Sequence, residues 1–363
     1  MEDLKNIINQ AGATLGRKIS IFDNKGVVVY STEKEQVNKF DDVASAFSRS
    51  TEKLLKTDTS QMLKIYISGE VKLIVSIQGL DDETNKYLQL VAGWLTSALM
   101  MRNQEAECES FLKNVLLENE LPGDIPLKAR EFQLTFSLPR QCFYVHPSVG
   151  NSNQVRELVE SDRNYCQKWN YLPLDENNFV LIVDLDNLDE FEREELPNAI
   201  LEFFEKNLGC RVNLGVGMPV DTLKDIPKSY REASLALTVG KIFTDDQRIM
   251  RYNKLGLGRL IYQLPPTLCQ MFLSEVFDNN TYEELDEETL LTIQKFFENN
   301  LNGSETSRQL FVHRNTLVYR LDKVQKITGL DLRSFDDAVL FKLASMVRKY
   351  LETIFREAQS LSK

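Results

Sequence analysis

Apolar and polar positions change rhythm along this chain, and each change predicts an element. The runs KISIFD (18–23) and VVVYST (27–32) flank Asn24-Lys25-Gly26, whose Asn and Gly suit a tight hairpin, and MLKIYIS and KLIVSIQ bracket Gly69 in the same way. Between these pairs, DDVASAFSRSTEKLL has the period of a helix. A long helical pattern follows from Asp81 to about Glu118, capped by Asp81 or Asp82 and apolar at Leu88, Val91, Leu95, Ala98, Leu112 and Leu116, until Leu121-Pro122-Gly123 breaks it. Its middle, RNQEAECE, is polar. That fits a helix crossing solvent from one domain into the next beside a twin in a dimer, and equally one ordinary long helix.

Next, strand and helix signals alternate. QCFYVHP reads as a strand, NQVRELVES as a helix, NYLPL and FVLIVDL as a hairpin across residues 175–178, LPNAILEFFEKNL as a helix and RVNLGVG as a strand. The helix SYREASLALTVG and a short strand, IMRY, complete the βαββαβ order of a ferredoxin-like sheet with helices on one face. YEELDEE (282–288) reads as an acidic linker with a solvated surface, whose carboxylates would also repel nonspecific DNA. The order of strand pair, helix and strand pair at the N-terminus is that of PAS-like and GAF-like sensors.

From Thr289 the pattern is wholly helical. LLTIQKFFENN offers one amphipathic helix, Asn302-Gly303 turns the chain, and Ser304 is placed to cap a short helix, ETSRQLF. The chain turns again at Val312, His313 opens a third helix, RNTLVYRLDKVQKIT, and Gly329 stops it. Leu317, Leu321, Val324 and Ile327 recur on one face, with Leu310 and Val312 expected to meet them. The opposite face carries Arg314, Asn315, Thr316, Tyr319, Arg320 and Lys323. Short helix, turn and longer helix is the geometry that lays the second helix in the DNA major groove. Arg314, Asn315 and Thr316 then stand where base edges are read, since Arg pairs with guanine, Asn with adenine, and the Thr methyl meets thymine. Arg320, Lys323, Arg308 and Ser304 suit the phosphate backbone. The alternative reading makes Arg320 and Lys323 the solvated face of a helical hairpin, with His313 a plain cap.

Charge sharpens the picture. The chain of 363 residues carries a net −11, which opposes nucleic-acid binding, yet residues 303–333 alone carry +3, leaving −14 elsewhere. The length predicts two or three domains. Cys108, Cys142, Cys166, Cys210 and Cys269 are scattered without a CxxC pair, and only two histidines are present. That argues against zinc clusters and a disulfide framework and predicts reduced, mostly buried thiols; no metal or other cofactor is expected. MEDLKNIINQ lacks the basic start and apolar run of a signal peptide, so a cytoplasmic protein is expected. The uncharged stretch Tyr87–Met101 is shorter than the roughly 20 residues of a membrane span, and reads as a buried helix or a dimer face.

The strings Leu-Phe-Val-His-Arg-Asn-Thr-Leu-Val-Tyr-Arg-Leu (310–321) and Ile-Thr-Gly-Leu-Asp-Leu (327–332) closely resemble the C-terminal domain of the PucR/CdaR regulators, itself similar to the Fis-type helix-turn-helix. Ser307 departs from the family's usual alanine. LGVGMPVDTLKDIPKSYREASLALTVG (214–240) resembles that family's GGDEF-like domain, and the N-terminal segment is more faintly similar to its sugar-diacid recognition domain. In diguanylate cyclases the central hairpin carries a Gly-Gly-Asp/Glu-Glu-Phe string. Here it reads Asp175-Glu176-Asn177-Asn178-Phe179, without the glycines that admit a nucleotide, so no catalytic residue is expected.

The resemblance implies an α/β multidomain regulator: a PAS/GAF-like or sugar-diacid-recognition-like sensor at 1–100, a connecting helix and linker at 101–125, a degenerate ferredoxin-like (GGDEF-like) domain at 126–280 and an all-α helix-turn-helix domain at 286–363. Double-stranded DNA and a second copy of the chain are the expected partners. A carboxylate or purine metabolite is the expected effector, with Arg17, Lys18, Lys64 and Lys72 as candidates to counter a carboxylate. Two other functions compete: an enzyme of nucleotide chemistry in the middle domain, and a metabolite-sensing module that docks on proteins.

Overall fold

The computed structural model describes residues 2–67, 69–149, 152–161, 169–244 and 247–361. The chain divides into two compact units, Met1–Phe111 and Leu112–Lys363. Cys166 lies outside the described residues; Cys108, Cys142, Cys210 and Cys269 are free thiols, of which Cys142 and Cys269 are buried.

In the first unit, helix α1 (Glu2–Leu15) precedes a five-stranded antiparallel sheet made of β1 (Ile19–Asp23), β2 (Val28–Ser31), β3 (Leu54–Lys56), β4 (Ser60–Ile67) and β5 (Glu70–Gln78), in the order β2-β1-β5-β4-β3. The β1–β2 turn forms because the Asp23 carboxylate accepts from the amides of Lys25 (2.8 Å) and Val27 (2.9 Å), while Gly26 takes the positive φ of 93° that a side chain resists. Alternation then sends Ile19, Ile21, Val75 and Ile77 to one face, where they meet Ile8 of α1 and Leu88, Val91 and Leu95 of α3 (Asp82–Leu116). Phe22, Met62 and Ile74 point to the other face, against Ala44 and Phe47 of α2 (Asp42–Arg49).

Helix α2 is shorter than its periodicity predicts. It ends at Arg49, where the Ser50 hydroxyl donates to the Phe47 carbonyl (2.9 Å), and Leu54-Leu55-Lys56 forms the edge strand β3 opposite Leu63, Met62 and Gln61. Apolar side chains on a strand and on the last turn of a helix give the same local signal, and only the neighbouring strand decides between them. Helix α3 is capped by Asp81, whose carboxylate accepts from the Thr84 amide (2.6 Å) and, with Arg17 also beside it, is held near a pKa of about 2. No helix among the described residues is long and apolar enough to cross a membrane.

The second unit contains a six-stranded sheet: β6 (Ser137–Pro147), β7 (Trp169–Pro173), β8 (Phe179–Asp184), β9 (Val212–Val216), β10 (Val220–Thr222) and β11 (Ile249–Arg251). Its order is β11-β9-β6-β8-β7, with β10 pairing the start of β6 and β11 parallel to β9. Phe143, Val145, Leu214 and Val216 face α5 (Ser152–Ser161) and α6 (Glu190–Leu208), burying Val155, Ile200, Phe203 and Phe204. Tyr144 and Met250 face the other way, against Ala236 and Leu237 of α7 (Ile226–Phe243). Helices therefore cover both faces, where the element order predicts one. The cause lies at the end of β9 and just after it: a Cβ on Gly215 or Gly217 would collide with the backbone carbonyls of Ala233 or Ser229, so the two glycines let α7 pack directly on the sheet. Short helix α4 (Ile125–Glu131) precedes the sheet, and α8 (Leu257–Tyr262) and α9 (Pro266–Val276) follow it.

Candidate nucleic-acid interface

Four helices close the second unit: α10 (Glu287–Glu298), α11 (Gly303–Gln309), α12 (Arg314–Thr328) and α13 (Phe335–Leu361). The apolar faces of α10, α12 and α13 meet, with Leu332 of the connecting turn, in one core of Ile293, Phe296, Leu317, Leu321, Val324, Phe341 and Ala344. The predicted inward stripe of α12 is thus buried at Leu317, Leu321 and Val324, and Ile327 is half-buried. Leu310 and Val312 sit half-exposed in the turn. Thr306 and Ser307 are the buried positions of α11. The Ser307 hydroxyl, where the resembling family has alanine, donates to the Gly303 carbonyl at 2.8 Å, so it is satisfied inside the helix.

The cap of α11 differs from the sequence reading. Asn302, not Ser304, is the N-cap: its Oδ1 accepts from the amides of Ser304 (3.1 Å) and Glu305 (3.2 Å), and Ser304 is the helix's second residue, exposed. Asn302→Ala should therefore cost about 1 kcal/mol of stability, measurable as a lowered denaturant midpoint. His313 caps α12, its Nδ1 accepting from the Asn315 amide at 3.2 Å, and Gly329 ends that helix at φ 78°.

This capping aims the first turn of α12 outward. Arg314, Asn315, Thr316 and Tyr319 are all exposed, Tyr319 at 69%. Among the described residues no carboxylate lies within ion-pair range of Arg314, while Arg308 pairs with Glu305 at 2.6 Å on its own helix. Arg320 and Lys323 are placed differently. Arg320 binds the Glu288 carboxylate and donates to the Thr292 hydroxyl (3.0 Å), and only 13% of its side chain is exposed; Lys323 binds Asp286. The Lys323 ammonium, together with the Thr289 hydroxyl and amide, holds the Asp286 carboxyl well below the usual range.

These pairs also correct the reading of 282–288 as an acidic linker. Leu285 is buried in the helical core, Asp286 caps α10 through the Thr289 amide (2.8 Å), and Glu283 pairs with Arg348 of α13 at 2.9 Å. The segment belongs to the helical domain, and three of its carboxylates hold cations of α12 and α13. Sequence spacing misses this because the partners are 32–65 positions away.

One further residue escaped the sequence reading. Phe311 occupies the turn between α11 and α12 at φ 55° and is 96% exposed. Such a backbone ordinarily selects glycine or asparagine, so Phe311→Gly should raise stability by about 1 kcal/mol, detected as a higher melting temperature.

The hairpin at the cyclase-motif position is closed by its own side chains. The Asp175 carboxylate accepts from the amides of Asn177 (2.9 Å) and Asn178 (2.8 Å) and from the Asn178 side chain. Among the described residues there is no cluster of three or more histidine, cysteine or acidic side chains suited to a metal ion.

Comparison with known proteins places these parts together. The PucR C-terminal helix-turn-helix domain matches residues 289–347, the GGDEF-like domain 118–239, and the sugar diacid recognition domain 3–120. The carbohydrate diacid regulator of Escherichia coli (strain K12) is 24% identical, over 94% of this chain and 95% of its own. The proline-responsive transcriptional activator PutR of Bacillus subtilis (strain 168) is 24% identical, over 77% of this chain and 74% of its own. A solved structure, the regulator of polyketide synthase expression from Bifidobacterium adolescentis, overlays with a TM-score of 0.33 at 14% identity, over 65% of this chain and 95% of that one. With all three domains matched in the order in which they stand here, the chain belongs to the PucR/CdaR family of helix-turn-helix transcriptional regulators.

Proposed function

We propose that this regulator reads specific DNA through the exposed first turn of α12, with Arg314, Asn315 and Thr316 toward base edges in the major groove. The observation that carries this reading is that Arg314, Asn315 and Thr316 are all exposed at the start of a helix seated in the core by Leu317, Leu321 and Val324, which supports this end of α12 as the part that meets a duplex. Ser304, Arg308, His313 and Tyr319 flank it and suit phosphate contacts. Arg320 and Lys323 hold α12 against the start of α10, and each reaches a phosphate only by exchanging its carboxylate partner. The test is selection of genomic fragments by the purified full-length chain: a shared sequence among retained fragments supports the reading, and retention without sequence preference overturns it.

The protein acts as a cytoplasmic homodimer in this proposal. On α3, Leu90 (55% exposed), Trp94 (54%) and Met101 (61%) line one stripe, opposite the buried Leu88, Val91 and Leu95, at the spacing of a helix-pairing seam. Trp94→Glu should shift the full chain from dimer to monomer in sedimentation velocity.

The first unit serves as a PAS-like sensor of a carboxylate or purine metabolite, a reading supported by its 2-1-5-4-3 strand order. Of the four candidate cations, Arg17 pairs with Asp81, Lys18 with Glu33, and Lys72 with Glu70. Lys64 is buried, donates to the Ser50 carbonyl at 2.6 Å and lies 4.6 Å from the Phe47 ring centre. Burial pushes its pKa below the usual lysine range, and it is the one of the four with no carboxylate in ion-pair range among the described residues, which supports it as the partner of a ligand carboxylate. The GGDEF-like domain holds no enzymatic role here, because Asp175 and Asn178 brace the hairpin that a cyclase leaves open to nucleotide.

A further inference from the structure

The face of the GGDEF-like sheet that carries α7 is not completely covered. Between it and the far half of α13 lies a cavity of about 530 Å³, within the range of small-molecule sites. Three tyrosines, Tyr144 of β6, Tyr262 of α8 and Tyr350 of α13, give it aromatic walls; His146, Asn178 and Lys241 give it polar ones. The walls are braced from behind: the Tyr144 ring stacks on Tyr230 with centroids 6.2 Å apart, and the Tyr350 hydroxyl donates to the Tyr262 carbonyl at 3.1 Å.

The polar groups are aligned for one kind of ligand. The Asn178 amide nitrogen donates to Asp175 (2.7 Å), which turns the Asn178 carbonyl oxygen toward His146 Nδ1 at 2.7 Å. A carbonyl can only accept, so Nδ1 carries a proton, and in the neutral ring Nε2 is the atom that accepts from a ligand N–H or O–H. Lys241 has no carboxylate within ion-pair range among the described residues, and the surrounding protein pushes its pKa below the usual lysine range. An unpaired cation beside aromatic walls favours an anionic ring.

We propose that this cavity binds a small aromatic carboxylate bearing a hydroxyl or ring N–H, with Lys241 countering the carboxylate, His146 accepting the donor and the three tyrosines enclosing the ring. Helix α13 connects the site to the DNA reader. Its first half closes the helix-turn-helix core through Phe341 and Ala344, and Tyr350, Thr353 and Ile354 on its second half line the cavity. A ligand that shifts α13 therefore changes the packing beneath α12. This coupling rests on the DNA-binding reading above, whereas ligand binding does not.

The probe is 4-hydroxybenzoate, titrated into the full-length chain by calorimetry, with 4-hydroxybenzamide as the uncharged isostere. Saturable binding is expected for 4-hydroxybenzoate, at least about tenfold weaker for the amide and for Lys241→Gln, and lost in the cavity-filling variant Thr353→Trp. Circular dichroism of both variants should match the parent. Failure of 4-hydroxybenzoate to bind, or equal binding by parent and both variants, overturns the site. DNA affinity measured with and without saturating probe tests the coupling separately: an altered affinity supports it, and an unchanged one overturns it while leaving the site standing. A chain that binds the probe but no DNA at all contradicts the DNA-binding reading alone.

Discussion

Leu321→Ala should lower the stability of the second unit by about 2–5 kcal/mol and, with it, remove DNA binding. Leu321 is 3% exposed and sits where α12 meets the core shared by α10 and α13, alongside Leu317, Val324 and Phe341. Truncation removes the transfer free energy of the lost carbons and leaves a void that three helices cannot all close around at once. Native domains are stable by only about 5–15 kcal/mol, so one such change removes a large share of the margin. Urea unfolding of the full chain should show the second-unit transition moved to lower denaturant while the transition of the first unit, which does not contain this core, stays in place. Unaltered unfolding would mean that the apolar stripe of α12 is not what seats the helix.

Arg314→Ala should leave that transition unchanged and instead weaken binding to a selected DNA site by about 1–3 kcal/mol, or roughly 5- to 150-fold in Kd. The side chain is exposed and has no carboxylate within ion-pair range among the described residues, so the free protein loses little when it is removed. On DNA the guanidinium fork can bridge O6 and N7 of one guanine, and its loss should relax preference at that base pair while leaving the others intact. Lys323→Ala should behave differently. It should weaken all sequences alike and reduce the salt slope by about one, provided that the lysine leaves Asp286 for a phosphate on binding. Equal losses for both variants on all sequences would remove Arg314 from the base-reading set.

Much of this was legible in the chain because the signals are local. The α12 stripe, the Gly329 stop, the His313 cap and the Asn24-Lys25-Gly26 hairpin depend on residues within a few positions of one another, and propensity and periodicity report them directly. What was not legible depends on partners far along the chain. Leu54-Leu55-Lys56 became a strand because β4 offers it an edge. The carboxylates of 282–288 looked solvated until Arg320, Lys323 and Arg348 arrived from two later helices. Placement of α7 on the second face of the sheet was encoded in Gly215 and Gly217, whose role shows only when the helix lies against them. Ser304 was passed over as a cap because Asn302, two residues earlier, reaches two amides at once. The candidate site divides along the same line: the exposed turn was readable, whereas the commitment of Arg320 and Lys323 to carboxylates was not.

The most direct measurement is competition binding of the full-length protein, parent and Arg314→Ala, to a selected genomic fragment and to variants of it changed one base pair at a time. Two half-sites about one helical turn apart are expected, each with a guanine whose replacement weakens the parent but leaves Arg314→Ala unaffected. If the parent binds every variant equally, or if Arg314→Ala retains the parent's discrimination at every position, the first turn of α12 is not the base reader.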